Sequence, residues 1–447
     1  MLFNFSTWVP EVLTNGSKLS RDVIAGVTIA MIIIPQSMAY ASLAGVPPIY
    51  GLYASLIPVA IAALFGSSRY LATGPVAMVC LLTSVAIGSL AAGKTEFYVY
   101  FAVLLSFSVG IFQLFLSFIK AGRLFDEIPE NVLLGFTSAA ALIIATSQLS
   151  KVFGLPKVAF SDLFRFSEFL SNSPINGEAL VLSIFLLALM YILKYKYTKY
   201  MTFSNLTVFF AVVISILFST FFYYQGPIVG FIPPGLPEIK MPTFDILNAS
   251  LPMFLIHTII ITFVGFMEAI AIAKQLYIKK PPKDDKGVEL FKDPTPVNSD
   301  QELFGQGLSN MSSGLSGSFP VSGSFSRSAV NEASGAFSGI ASVVTMIIVA
   351  FTLLYATPLL FNLPQATLGI IVIFAVLPLI RIKKMKDLYN NNKELGFVAW
   401  ITFFSTLLFP LFSFELFEGV TTHIWTGIVF GFIIHLIFKK IFTREEA

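Results

Sequence analysis

The amino-acid sequence predicts an all-α membrane protein with many membrane-spanning segments, on three observations. Hydrophobic residues make up 56% of the 447 residues and charged residues only 12%, about half the charged share of a typical globular protein. Apolar runs of about 18 residues or more recur along the chain, each long enough to cross a bilayer core. The sequence lacks the alternating segments of about ten residues that form membrane β-barrels. Because a backbone in hydrocarbon must satisfy its own polar groups, the runs are predicted to be helices.

Hydropathy predicts fourteen membrane segments when the weaker runs are counted. The clear segments lie near residues 23–43, 98–119, 131–149, 178–193, 204–222, 250–273, 338–360, 366–380, 396–413 and 424–438. Shorter or weaker segments lie near residues 50–66, 75–92, 302–317 and 325–336.

The positive charges predict the orientation of these segments. With the N-terminus inside, the loops after even-numbered segments are cytoplasmic and should hold the Lys and Arg residues. Those loops carry Lys194, Lys196, Lys199, Lys274, Lys279, Lys280, Lys283, Lys286, Arg381, Lys383, Lys384, Lys386, Lys439 and Lys440. We therefore expect a multi-pass protein of the cell (inner) membrane with both termini cytoplasmic.

Two segments in corresponding positions are interrupted by Gly and Pro. Segment three follows Thr73-Gly74-Pro75, and segment ten follows the stretch from Phe319 to Ser324. Each is the third segment of a seven-segment half, and the spacing within the halves agrees once the polar loop from Lys279 to Asp300 is removed. The halves cover about residues 20–222 and 250–440. Matching interrupted segments indicate the binding site of a transporter built from repeats, and an odd number of segments gives the halves opposite topology.

Three charged residues fall inside predicted segments, namely Glu268, Arg327 and Glu332. A charge at the bilayer centre costs at least about 2.5 kcal/mol on insertion scales, so such a residue indicates a functional site. An ion pair that only holds helices together is the alternative. Arg327 lies among Ser322, Ser324, Ser326 and Ser328, where segment ten should begin.

A helix N-terminus presents unpaired N–H groups and a partial positive charge. Together with the hydroxyls and the guanidinium of Arg327, it would form an anion site. If segment three starts at Pro75, a second N-terminus could face the first, since Pro suits a first helical turn. Gln36 and Tyr40 lie four residues apart on one face of the first helix and can each donate a hydrogen bond. The alternative role for these two is contact between helices.

Several motifs resemble the sulfate permease (SulP) family over about residues 20 to 440. The matching stretches are Pro35-Gln36-Ser37-Met38-Ala39-Tyr40-Ala41, Ala44 to Tyr53, Ser67-Ser68-Arg69 with Gly74-Pro75, Pro129-Glu130-Asn131-Val132 with Gly135-Phe136, Asp300-Gln301-Glu302-Leu303, and Phe319-Pro320 through Arg327 with Asn331.

The resemblance implies two inverted seven-segment repeats and elevator-like alternating access. A core domain of segments 1–4 and 8–11 would move against a gate domain of segments 5–7 and 12–14. An anion would lie between the short third and tenth helices, with Ser326 at the central contact and Arg327 beside it. The implied substrate-binding residues are Gln36, Tyr40, Gly74, Pro75, Val76, Ala77, Ser324, Phe325, Ser326 and Arg327. Glu268 matches a carboxylate of proton-coupled members, which favours sulfate uptake by proton symport.

The expected partners are sulfate or another small inorganic anion, protons and the lipid bilayer, with a homodimer left open. No catalytic residue, metal, cofactor or nucleic acid is expected, and the single cysteine, Cys80, excludes an intrachain disulfide. Most members carry a cytoplasmic STAS domain, but only five residues follow Phe442 here, so we expect either a protein without that domain or a truncated chain.

Two alternatives to sulfate transport are retained. A chloride/bicarbonate exchanger, a dicarboxylate exchanger or an anion channel would share the fold, because fold does not fix substrate. The remote alternative is an intramembrane serine protease, because Gly314-Leu315-Ser316-Gly317 matches a short rhomboid motif and His257 and His435 lie in apolar runs.

Overall fold

The structure, a computed structural model, describes residues 10, 12–91, 94–127, 129–155, 175–196, 206–244, 251–277, 297–412, 415–417, 420–421 and 424–442. The predicted cytoplasmic loop from Lys279 to Lys286 and the residues after Phe442 lie outside this part of the chain.

The first half of the chain is helical apart from one short strand. Its elements are α1 (Gly16–Ala44), α2 (Pro48–Ala54), α3 (Ile57–Phe65), β1 (Thr73–Gly74), α4 (Ala77–Leu90), α5 (Tyr98–Phe118), α6 (Glu130–Ser147), α7 (Leu149–Val152), α8 (Gly177–Tyr191) and α9 (Thr207–Phe221). Short 3₁₀ turns cover Thr95–Phe97 and Ala121–Glu127, and a π turn, Ile192–Lys196, extends α8.

The second half is also mainly helical and contains three short strands. Its elements are α10 (Leu251–Tyr277), α11 (Ser299–Leu315), β2 (Ser322–Gly323), α12 (Phe325–Ala333), α13 (Ile340–Phe351), α14 (Gln365–Val376), α15 (Ile382–Asn391), α16 (Lys393–Phe412), β3 (Glu415–Phe417), β4 (Val420–Thr421) and α17 (Ile424–Phe442). The π turn Thr352–Ala356 and the 3₁₀ turns Thr357–Leu360 and Leu377–Leu379 extend α13 and α14.

Within the described residues, eight helical stretches are long and apolar enough to cross a membrane. Three shorter apolar helices, Ala77–Leu90, Thr207–Phe221 and Thr426–Phe438, accompany them. The prediction of a helical, multi-pass membrane protein is confirmed. The helices at the predicted third and tenth segments are short, as the family resemblance implied: α4 has 14 residues and α12 has nine.

The chain forms two compact units. The first comprises Met1–Asp126, Ala188–Tyr224 and Ile228–Pro364, and it contains α1–α5, α9–α13 and both strands β1 and β2. The second comprises Glu127–Leu187, Gln225–Pro227 and Gln365–Ala447. In the second unit α6 packs on α16, where a Cβ on Gly135 would lie 2.2 Å from the Ala399 carbonyl oxygen.

Glycine sets the close packing of α5 against α11 in the first unit. A Cβ on Gly110 would lie 2.3 Å from the backbone nitrogen of Met311, and one on Gly307 would lie 2.9 Å from that of Leu114. Such distances leave no room for a side chain, which is the usual reason for small residues between membrane helices. The face of α11 that approaches α5 therefore lies within backbone contact distance.

Candidate anion-binding site

Two short strands bring the interrupted segments together inside the first unit. Strand β1 pairs antiparallel with β2, with Thr73 opposite Gly323 and Gly74 opposite Ser322. Helix α4 starts at Ala77, three residues after β1 ends, and α12 starts at Phe325, two residues after β2 ends. The N-termini of α4 and α12 therefore lie beside the same strand pair. Their partial positive charges add at one place, which favours an anion there.

Arg327 lies in the first turn of α12 and is fully buried. Its Nη1 donates to Oε1 of Gln36 at 2.9 Å, and Nε2 of Gln36 donates to the hydroxyl of Tyr40 at 3.2 Å. Its Nε and Nη2 have no hydrogen-bond partner, and within the described part of the chain Arg327 makes no ion pair. A buried guanidinium with two unused donors is costly unless an anion compensates it.

The serines around Arg327 have different roles. Ser322 donates through its hydroxyl to the Gly265 carbonyl at 2.6 Å. The Ser324 hydroxyl caps α12 by accepting from the Arg327 backbone N–H at 3.4 Å, and the Ser328 hydroxyl accepts from the Ala72 N–H at 2.8 Å. These three are buried, whereas Ser326 is exposed. Ser326, which the family resemblance places at the central anion contact, is therefore the exposed serine of this group.

The backbone between β1 and α4 approaches Arg327 closely. Gly74 has a φ of +148°, a conformation that side chains disfavour, and a Cβ there would lie 3.2 Å from Nη2 of Arg327. Pro75, Val76 and Ala77 are buried, and Val76 is extended at the N-cap of α4 without a side-chain cap. Glycine at position 74 thus lets the chain turn into α4 while the guanidinium remains against the backbone.

Phe325 has a different environment from the other predicted site residues. It packs against a cluster formed by Leu71, Ala269, Ile272 and their neighbours on α10. Its ring therefore contributes to the packing of α12 on α10, and its backbone lies in the first turn of α12.

Glu268 on α10 belongs to the same electrostatic environment as Arg327. The two charges interact, and Glu268 also interacts with Tyr40 and Cys80. The Oε2 atom of Glu268 is buried without a hydrogen-bond partner, and no ion pair joins it to Arg327 among the described residues. For Arg327 and Glu268 among the described residues, the ion-pair alternative therefore does not hold. Glu332, near the end of α12, interacts with Tyr70.

Sequence reasoning missed two buried carboxylates at the ends of predicted segments. Asp22 accepts from the backbone N–H groups of Phe337 and Ser338, at 2.6 and 2.9 Å. Glu302 accepts at Oε2 from those of Ser67 and Ser68, at 2.7 and 2.9 Å. Partners more than 200 residues away leave no local signal, and a carboxylate at a segment end is ordinarily solvated. Within the described residues, no cluster of His, Cys, Asp and Glu could hold a metal ion.

The fold and the site define a polytopic helical membrane protein in which two half-length helices present their N-termini to one buried cation. The sequence pattern of the sulfate permease family matches residues 19–403. This chain belongs to that family, which is one of transporters and not of enzymes. The protease alternative is therefore wrong, and locally the Ser316 hydroxyl donates to carbonyls of its own helix end, at Ser312 and Ser313.

Similar proteins include "Sulfate transporter 4.1, chloroplastic" of Arabidopsis thaliana, 34% identical over 426 residues that cover 93% of this chain and 58% of the relative. The "Sodium-independent sulfate anion transporter" of Bos taurus is 30% identical, covering 87% of this chain and 66% of the relative. The chain thus spans about three fifths to two thirds of the length of these relatives.

Solved structures share the fold. Murine Slc26a9, an anion transporter in an inward-facing state, superposes with a TM-score of 0.82 at 21% identity over 98% of this chain and 71% of that chain. The transmembrane domain of the cyanobacterium bicarbonate transporter BicA gives a TM-score of 0.74 at 21% identity, over 93% of this chain and 97% of that domain.

Proposed function

We propose that this protein is a secondary transporter of a small inorganic anion, with sulfate as the first candidate. The observation that carries the proposal is Arg327, a buried guanidinium with two unused donors beside the N-termini of α4 and α12. The names of the similar proteins, sulfate and sulfate anion transporters, support sulfate.

The proposed site binds the anion through several hydrogen-bond donors. Arg327 supplies charge and two N–H donors, and the exposed Ser326 hydroxyl supplies a third donor. The first turns of α4 and α12 add backbone N–H groups that lack partners inside their helices. Gln36 accepts from Nη1 of Arg327 and in turn donates to the Tyr40 hydroxyl. In this proposal the anion exchanges its water shell for these donors.

We further propose fourteen segments in two inverted seven-segment repeats, with core and gate groups of helices and elevator-like alternating access. Support comes from the matching positions of β1–α4 and β2–α12 in the two halves. The lysine-rich loops support cytoplasmic termini and a cell-membrane location by the positive-inside rule. A homodimer stays a prediction, which the mass of the purified protein in detergent, measured by light scattering, would test.

Proton symport is the proposed mode of coupling. Sulfate carries two charges, and an inside-negative potential opposes its entry by about 2.3 kcal/mol per charge per 100 mV. Accumulation therefore needs a coupled cation, and Glu268 is a carboxylate that interacts with Arg327, Tyr40 and Cys80. A proton on Glu268 removes negative charge beside the site, so the anion binds better. By linkage, the anion then increases proton affinity by the same factor.

The transport proposal is tested by radiolabelled sulfate uptake into proteoliposomes that contain the purified protein. We expect saturable uptake that unlabelled sulfate competes away, and Arg327→Met should reduce it strongly. Chloride, bicarbonate and dicarboxylates are added as competitors in parallel. The second candidate, an exchanger of bicarbonate or another anion, is favoured by the structural similarity to a bicarbonate transporter. Sulfate uptake that requires a counter-anion inside the vesicle would identify the protein as an exchanger.

The coupling proposal is tested with Glu268→Gln, which mimics the neutral form. We expect this variant to keep sulfate binding and sulfate–sulfate exchange but to lose accumulation driven by an inward proton gradient. Glu332→Gln is the matched control, because that carboxylate interacts with Tyr70 rather than with the site. Undiminished acid-stimulated accumulation in Glu268→Gln would show that protons are coupled elsewhere.

A further inference from the structure

Helix α11 presents three polar side chains at intervals of four residues, namely Glu302, Gln306 and Asn310. Residues four apart lie on the same helix face, about 6 Å apart along the axis. All three side chains are buried, with exposed fractions of 1% each. Their hydrogen bonds reach the chain at β1 and just before β2, the strands that precede the short helices α4 and α12.

The first two of these residues hold the chain that leads into β1. Oε2 of Glu302 accepts from the backbone N–H groups of Ser67 and Ser68 and from the Ser67 hydroxyl at 3.0 Å. Nε2 of Gln306 donates to Oε1 of Glu302 at 3.3 Å and to the Thr73 hydroxyl at 2.8 Å. Thr73 directly precedes Gly74, the residue against which the Arg327 guanidinium lies.

Asn310 holds the chain that leads into β2. Its Oδ1 accepts from the Val321 N–H at 2.8 Å, and its Nδ2 donates to the Val321 carbonyl at 3.1 Å. Nδ2 also donates to Oε1 of Gln113 on α5 at 2.9 Å, which orients the amide. One turn further on, the Ser313 hydroxyl donates to the Phe319 carbonyl at 2.7 Å.

A strand pair of two residues on each side is too short to hold its own register firmly. Here β1 and β2 are each also tied to successive turns of one helix. The distance between those turns is fixed by helix geometry, so α11 determines how far apart the chains that enter α4 and α12 lie.

We propose that the Glu302–Gln306–Asn310 face of α11 sets the size preference of the anion site by fixing the separation of the two helix N-termini. These are positioning residues, since they act through Thr73 and Val321 and do not contact the anion. The inference rests on the proposed anion site. It predicts that loosening the Gln306–Thr73 contact changes which anion is preferred, and not only how much protein folds.

The test compares variants of Gln306 and Thr73 in proteoliposomes. Michaelis constants are measured for sulfate, together with inhibition constants for chloride, a smaller anion. Gln306→Met and Thr73→Val each remove this contact, while Thr73→Ser keeps the hydroxyl. Ser312→Ala is the matched control, because that buried hydroxyl on α11 donates only to the Ser309 carbonyl within the helix.

We expect Gln306→Met and Thr73→Val each to change the ratio of the sulfate and chloride constants by about threefold to tenfold, the scale of one hydrogen bond. The double variant should change the ratio no more than the larger single change, since both remove the same contact. Thr73→Ser and Ser312→Ala should keep the wild-type ratio.

A purely structural role predicts a different pattern. Less folded protein lowers the maximal rate for every anion but leaves the ratio of constants unchanged, and that result in both Gln306→Met and Thr73→Val overturns the inference. If Gln306→Met does not fold, the inference is tested by comparing the ratio of constants in Thr73→Val with that in Thr73→Ser. Wild-type protein without saturable sulfate uptake would overturn the proposed function and this inference together. An unchanged ratio of constants in the variants overturns the inference alone.

Discussion

Replacing Arg327 by Met separates anion binding from folding. The substitution removes a fully buried charge whose Nε and Nη2 have no partner in the described residues. Exchanging such a charge for an apolar side chain of similar length is often neutral or stabilising. Against this, Oε1 of Gln36 loses its bond from Nη1, at a cost of about 1–3 kcal/mol for an unsatisfied buried group. We therefore expect little net change in stability when no anion is present.

With sulfate present, Arg327→Met should be clearly less stable than the wild type, because it gains less stabilisation from sulfate binding. Losing a hydrogen bond to a charged group costs about 1.5–3 kcal/mol, so sulfate should bind about 10- to 150-fold more weakly. At a sulfate concentration of 100 times the wild-type Kd, binding stabilises the wild type by about 2.7 kcal/mol. The same concentration would stabilise Arg327→Met by only about 0.3–1.4 kcal/mol.

Thermal unfolding of purified protein in detergent, with and without sulfate, measures this difference. Sodium chloride at matched ionic strength controls for screening. Lys240→Met is the control variant, because it removes an exposed positive charge that pairs with Glu238. Equal sulfate protection of Arg327→Met and the wild type would refute the assignment of Arg327 to the anion site.

Three further substitutions test the surroundings of the site. Gly74→Ala introduces a Cβ 3.2 Å from Nη2 of Arg327 at a φ of +148°, so we expect a stability loss of about 1–3 kcal/mol in thermal unfolding and weaker sulfate uptake. Ser326→Ala should fold like the wild type and raise the Michaelis constant for sulfate about tenfold or more, the scale of one hydrogen bond to a charged group; an unchanged constant would remove Ser326 from the site. Asp22→Ala leaves two buried N–H groups without their acceptor, so the free energy of unfolding should fall by about 2 kcal/mol or more while the sulfate-to-chloride ratio stays unchanged.

The sequence determined those features that depend on local composition. Apolar runs predicted the helical membrane class, because any backbone crossing hydrocarbon must form its hydrogen bonds within the segment. Gly74 with Pro75, and Pro320 with Gly323, predicted that segments three and ten are interrupted and lie at a binding site. Arg327 stood out because a charge in an apolar chain is rare and costly.

The tertiary structure decided those features that depend on residues far apart in the chain. The β1–β2 pairing places the N-termini of α4 and α12 together, although Gly74 and Ser322 are 248 positions apart by their residue numbers. The hydrogen-bond partners of Ser322 and Ser328 also needed coordinates, since Gly265 and Ala72 lie far from these serines in the chain. Glu302, Gln306 and Asn310 resemble an ordinary polar helix face in the sequence. Only folding shows that this face is buried, because its hydrogen-bond partners come from the other half of the chain and from the segment before β2.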